Sequence, residues 1–253
     1  MSISDKLLTI AENEQRVYDA GYEKGKQEGG DTETAYSQGF DAGKQAEYDA
    51  LWDSIQDYGN RKRYPFAFSS DMWTPETFKP KYPIQPTMAN NMFGYWGSDT
   101  TRNYRFDFRG LPLDFSKAEI LYNCFTGNYL IQAVGEINTT SAGTLSGFFN
   151  EAISLETVEK LVLKSDGSQQ YFTNTFNNCR NLKNITIEGV IGDAISFGNS
   201  LLLTHDSLIS IINHLKDFSG TTTTMTCTLG ATNLAKLTDA EKAIATEKGW
   251  SLA

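Results

Sequence analysis

One register of apolar residues recurs three times in the middle of this 253-residue chain. It reads Leu121-x3-Phe125-x5-Ile131-x2-Val134, then Leu145-x3-Phe149-x5-Leu155-x2-Val158, then Phe172-x3-Phe176-x5-Leu182-x2-Ile185. The spacing inside the unit never changes, while successive units begin 24 and 27 residues apart. A fixed interior with elastic connections is how a solenoid behaves: each coil buries the same positions against its neighbours, and insertions go into the turns. Within a unit, the Leu/Phe-x3-Phe pair suits one turn of helix or a tight bend. The stretches that follow, around Val134 to Ile137, Val158 to Leu163 and Ile185 to Ile187, alternate or run apolar like short strands. Stacked copies predict a narrow parallel sheet. Asn150, Asn177, Asn178 and Cys179 fall just after the second Phe, where a turn must close. Ala89-x3-Phe93 reads as the worn first half of a further unit, with Leu113 and Phe115 as its strand.

The flanks differ from the repeats. Over residues 1–58, Ile3, Leu7, Ile10 and Val17 follow alternating four- and three-residue steps, a thin heptad stripe with Glu14 in one seat. Tyr18-x2-Gly21-Tyr22-x2-Gly25-Lys26-Gln27 then returns 18 residues later as Tyr36-x2-Gly39-Phe40-x2-Gly43-Lys44-Gln45. Eighteen residues are five helical turns, so both copies share a face; Gly29 and Gly30 between them favour a kink. Glycines at i and i+4 let helix backbones approach closely, and so thin a stripe gains little in water alone. The segment is therefore predicted to be a helical, coiled-coil-like anchor that oligomerises through Ile3, Leu7, Ile10, Val17, Gly21, Gly25, Gly39 and Gly43.

Residues 59–116 are interrupted by Pro65, Pro75, Pro80, Pro83 and Pro86 and are dense in aromatics, which predicts an N-terminal cap over the first coil. Residues 117–200 form the solenoid, and 201–253 an α/β C-terminal cap. There, Thr204 is placed to cap a helix with Leu208, Ile211, Ile212 and Leu215 on one face. Thr221 to Leu229 reads as extended. Thr238-Asp-Ala-Glu241 is a capping box opening a last helix through about Lys248, and Gly249 to Leu252 a closing strand. The predicted fold class is α+β.

Composition narrows the chemistry. A net charge of −9 argues against nucleic acid as a partner, since phosphate binding needs a basic stripe and Arg61, Lys62 and Arg63 are too short a cluster. The opening MSISDKLLTIAENEQ has neither the basic start and apolar run of a secretory signal nor the length of a membrane helix, so synthesis in a cytoplasm without membrane insertion is expected. Cys124, Cys179 and Cys227 have no paired spacing and read as buried thiols, neither disulfides nor metal ligands. His205 and His214 lie nine residues apart on the predicted helix, on opposite faces, and cannot share a ligand from it. No G-x-S-x-G, P-loop or H-E-x-x-H motif is present, and "KSDGSQ" at 164–169 reads as a turn. Asp99, Asp107, Asp114 and Glu136 read as scattered surface acids more readily than as a hydrolytic pair. Accordingly no catalytic residue, cofactor or metal is expected.

The repeats "LSGFFNEAISLETVEKLVLKSDGS" and "FTNTFNNCRNLKNITIEGVIG" resemble BspA-type leucine-rich repeats, with Phe before an Asn/Cys turn and Leu-x-x-Ile after it. The ending "TLGATNLAKLTDAEKAIATEKGWSLA" is similar to that of BspA-like proteins of bacteriophages and prophages, and "YDAGYEKGK" to their leading segment. The first unit departs from the pattern: "FTGNYLIQAVGEINTTS" lacks the Asn-Cys turn and has Ile131 where Leu is usual. The resemblance implies a short leucine-rich-repeat solenoid in a non-enzymatic virion protein, a tail fibre, receptor-binding or decoration protein. It would assemble in the bacterial host cytoplasm, be released with the particle, and join copies of itself (a trimer is the expected number) and other virion proteins through the helical segment. The alternative is a prophage-encoded adhesin or protein-interaction module. Tyr64, Trp73, Tyr82, Tyr95 and Trp96 are the candidate binding residues, as a stacking face for a host-surface glycan or a contact for a protein; the competing reading is that they pack the cap.

Overall fold

The apolar stretch that closes each unit of the register is a strand, and these strands lie side by side. The computed structural model describes Pro75, Phe78 and residues 84–97, 104–168 and 170–253. The chain divides into two units, residues 1–57 with 80–82 and residues 58–79 with 83–253; all described residues belong to the second. In it, β1 (Phe106–Phe108), β2 (Ile131–Asn138), β3 (Thr157–Val162) and β4 (Asn184–Glu188) form a parallel sheet in the order β1-β2-β3-β4. The sequence register is the pairing register: Val134 is opposite Val158, and Val158 opposite Ile185. Alternation decides the faces, as in β4, where Ile185 and Ile187 point inward and Asn184, Thr186 and Glu188 outward.

The strand of the first, worn unit is not where the sequence suggested. Phe108 pairs with Val134 and so takes the fourth register position, whereas Leu113 only bridges Ile84. Phe115 is buried between the rings of Phe125 and Phe148. Arg105-Phe-Asp-Phe-Arg109 carries the alternation of a half-buried strand, but β1 is only three residues long.

The Leu/Phe-x3-Phe segments are not helical; they run as consecutive turns. Their backbone bonds alternate. In 121–128 the amides of Cys124, Thr126 and Asn128 donate to the carbonyls of Leu121, Asn123 and Phe125 within the segment. Those of Asn123, Phe125 and Gly127 donate instead to Ser146, Phe148 and Asn150 of the next unit. The pattern continues with Gly147, Phe149 and Glu151 donating to Thr173, Thr175 and Asn177. A buried backbone polar group must be paired, and this alternation serves both the turn and the stack. It requires a left-handed residue two positions either side of each central Phe: Asn91 and Tyr95, Asn123 and Gly127, Gly147 and Glu151, Asn174 and Asn178 all have φ between 53° and 66°. Asn and Gly tolerate that conformation best, which is why they gather around the phenylalanines.

Inside, the phenylalanines of successive units stack. Phe93, Phe125, Phe149, Phe176 and Phe197 form a column with ring centroids 5.0, 5.2, 5.7 and 4.6 Å apart and interplanar angles of 11–26°. All five are fully buried. Each pair contributes roughly 0.5–1.5 kcal/mol beyond the burial of its area.

The C-terminal part follows the sequence closely. Thr204 caps α1 (His205–Asn213) by accepting from the Ser207 amide, and Leu208, Ile211 and Ile212 are buried. A one-turn helix, α2 (Ala231–Leu234), was not anticipated. The capping box forms at α3 (Asp239–Glu247), with Thr238 and Glu241 exchanging both bonds. A second parallel sheet joins β5 (Ile195–Ser196), β6 (Met225–Thr228) and β7 (Trp250–Leu252) in that order.

Candidate functional site

The repeat register offers no site of its own. Apart from Phe172 and Ile185, each 2% exposed, the twelve register residues are wholly buried, so none can meet a ligand. The three thiols are buried and free. Desolvation pushes the Cys227 thiol up to about 12 and raises Cys124 and Cys179 as well, so all three stay protonated and unreactive at neutral pH. Cys179 donates to the Phe149 carbonyl at 3.1 Å.

The polar groups considered as chemistry are each held elsewhere. His205 Nε2 lies 2.9 Å from Glu241 Oε1, and His214 Nδ1 lies 2.7 Å from the Ser210 carbonyl, at opposite ends of α1. Asp107 is gripped by Arg109, whose hydrogen bonds hold its carboxyl below the usual range. Asp114 accepts from the Ser116 amide and from Gln85 Nε2. Asp166 accepts from the Ser168 amide, so Ser165 to Ser168 turn as the sequence suggested, while Gln169 lies outside the described residues. Asp99 lies outside the described residues. Among the described residues no three metal-ligating side chains converge, and no helix is long and apolar enough to cross a membrane.

Two exposed faces remain, with different chemistry. The outer face of the four-stranded sheet is charged and internally paired. Lys160 sits 3.1 Å from Glu136 and 3.3 Å from Glu188, one neighbour on each adjacent strand, and both carboxylates raise its pKa. Lys183 lies 2.7 Å from Glu156, whose other oxygen takes a bond from Gln132, and these bonds lower the Glu156 pKa. Where the strands end, a cleft of about 520 Å³ opens beside Thr140, Lys164, Asp166, Ser168 and Glu188.

The turn segments make the second face, which is nearly neutral. Asn150, Asn177 and Asn199 form a ladder, with Asn177 Nδ2 donating to Asn150 Oδ1 at 2.8 Å and Asn199 Nδ2 to Asn177 Oδ1 at 3.3 Å. Tyr95 stands on this face 65% exposed, and Tyr122 from the next unit is 47% exposed. Tyr95 also has φ 59°, a conformation that costs a bulky residue about 1–2 kcal/mol. Its ring lies over Gly127, 3.0 Å from where a Cβ there would stand.

The sequence placed Tyr95 and Trp96 together as binding residues, and the structure separates them. Trp96 is 0% exposed, packed against Phe78, Phe93 and Phe106, so it belongs to the core and cannot stack on a ligand. Tyr64, Trp73 and Tyr82 lie outside the described residues, as do Ile3, Leu7, Ile10, Val17, Gly21, Gly25, Gly39 and Gly43. Tyr122 was missed. No family model matches the chain, and neither a curated protein nor a solved structure matches it.

Proposed function

We propose that this protein is a non-enzymatic structural component of a phage virion, a tail fibre, receptor-binding or decoration protein. In this reading a leucine-rich-repeat solenoid of the BspA-like kind adheres to a host surface, through a glycan or a protein. The N-terminal helical segment joins copies of the chain and anchors them to other virion proteins. The observation that supports it best is the coincidence of sequence register and strand register, continued by the phenylalanine column from Phe93 to Phe197. A core devoted to a stack leaves broad outer faces for contact, which suits adhesion better than catalysis in an enclosed pocket.

The test is location and assembly. Antibody labelling of purified particles is expected to decorate tail or capsid surface, and the full chain is expected to sediment as an oligomer that a chain starting at Gly59 does not form. Protein absent from particles but present on the bacterial surface would favour the prophage-encoded adhesin instead. A monomer in both chains would sink the anchoring role of residues 1–58.

A further inference from the structure

Resting on that adhesive reading, we infer that the turn face of the first two units is a binding patch for neutral carbohydrate, with Tyr95 as its stacking platform and Tyr122 beside it. Tyr95 is a misfit in its own backbone. At the position two residues after the central Phe, the other units carry Gly127, Glu151 and Asn178 in the left-handed region. Tyr95 holds φ 59° there while leaving 65% of its surface in solvent, so burial does not offset the strain. A strained residue kept on the surface is placed for what it meets.

Among the described residues, the turn runs 89–97 and 121–128 that carry the two tyrosines hold no charged side chain. The Asn91 amide donates to the Tyr122 carbonyl, which sets the two units side by side, about 4.8 Å apart as adjacent strands are. Asn123, part-buried beside Tyr122, has its Oδ1 3.0 Å from Thr126 Oγ1. The side-chain oxygens of Asn90 and Asn91 are buried without a partner. Amides present donor and acceptor on one rigid group, which matches the vicinal hydroxyls of a sugar, and a phenol ring matches the apolar face of a pyranose.

The alternatives fit less well. Among the described residues of this patch two rings are exposed, less apolar area than the core of a protein–protein interface needs. The charged sheet face has its carboxylates and ammonium groups already matched to one another, whereas the turn face presents uncharged amides and phenol rings, the groups that a neutral sugar takes as partners.

The experiment screens the full chain against an array of neutral oligosaccharides, with Tyr95→Asn and Tyr122→Ser variants and thermal unfolding of each. Binding is expected for the parent and weakened roughly tenfold by Tyr95→Asn. Because Asn accepts the left-handed conformation, the midpoint of that variant is expected unchanged or raised by about 2 °C. Three results would each overturn the inference: no neutral glycan bound, binding indifferent to both substitutions, or a midpoint that falls with binding and marks Tyr95 as a packing residue. Adhesion to host cells separates the two levels. Adhesion that survives periodate oxidation of surface glycans defeats the patch and spares the adhesive role. Glycan binding on the array without adhesion to any host surface does the reverse.

Discussion

Phenylalanine at the second register position makes contacts that leucine cannot. Phe149 lies between Phe125 at 5.2 Å and Phe176 at 5.7 Å, nearly parallel to both, while Phe148 meets it edge-on at 4.6 Å. Its backbone is equally committed, the amide donating to the Thr175 carbonyl of the next unit and the carbonyl accepting from the Cys179 thiol. Truncation to alanine therefore removes two stacked faces and leaves a cavity that neither neighbour can fill without pulling its own unit out of register. Phe149→Ala is expected to destabilise the protein by about 3–5 kcal/mol in urea titrations. Phe149→Leu keeps most of the volume and loses the ring contacts, so it should cost less than half of that. Equal losses for the two would mean that volume alone matters and that the column adds nothing.

Among the elements, α1 ends the sheet. β4 has β3 on one side only, and its outer amides would otherwise be open to another strand. Ser207 Oγ accepts from the Ile185 amide and Ser210 Oγ from the Ile187 amide, each at 2.9 Å, so two serines one helical turn apart stand in for a fifth strand. Ser207→Ala and Ser210→Ala should each cost about 1–2 kcal/mol, because the strand amide left behind is unpaired. Hydrogen exchange is the discriminating measurement: protection should fall at Ile185 and Ile187 selectively, and uniform loss would refute the edge role. Neither serine was legible in the sequence, where each reads as a polar residue on an amphipathic helix; tertiary packing alone assigns its partner. The helix itself was legible, since Thr204 and the spacing of Leu208, Ile211 and Ile212 carry cap and face together. β2, β3 and β4 were legible because a half-buried strand must alternate. The turn runs were not, because alternating right- and left-handed residues have no apolar period, only the Asn and Gly flanking each Phe. Trp96 was misplaced for a related reason: aromatic density in a proline-rich stretch does not say which ring faces in. Tyr95 and Trp96 are adjacent, yet one is largely in solvent and the other wholly buried.

Across the whole molecule, two electrostatic effects oppose each other as pH falls. The net charge of −9 at neutrality is self-repulsive, so protonating carboxylates at first relieves the folded state. Against that, Asp107, Asp114 and Glu156 have pKa values lowered chiefly by side-chain hydrogen bonds from Arg109, Ser116 and Lys183, and Glu241 chiefly by the Thr238 backbone amide. A carboxylate whose folded pKa lies below its unfolded value binds fewer protons folded than unfolded. Its stabilisation is complete above the ordinary carboxylate value near 4, and is lost as pH falls through the folded value. Lys160 has the opposite sense, its raised pKa giving stabilisation that is complete below the ordinary lysine value near 10.4 and lost as pH rises through the folded value. These contacts are largely solvent-exposed and individually small, yet losing several together removes the carboxylate partners of Arg109 and Lys183. Diffuse repulsion is screened beyond about 8 Å at physiological salt, whereas the contacts at 2.7–3.3 Å are screened far less. The contacts should therefore win: the unfolding midpoint is expected to be nearly flat from about pH 5 to 9 and to fall steadily below about pH 4. Repeating the series with Arg109→Gln and Lys183→Gln should flatten the acid limb, because the carboxylates they hold would then titrate alike in both states. A midpoint that keeps rising as pH drops below 4 would instead mean that net-charge repulsion outweighs the paired contacts.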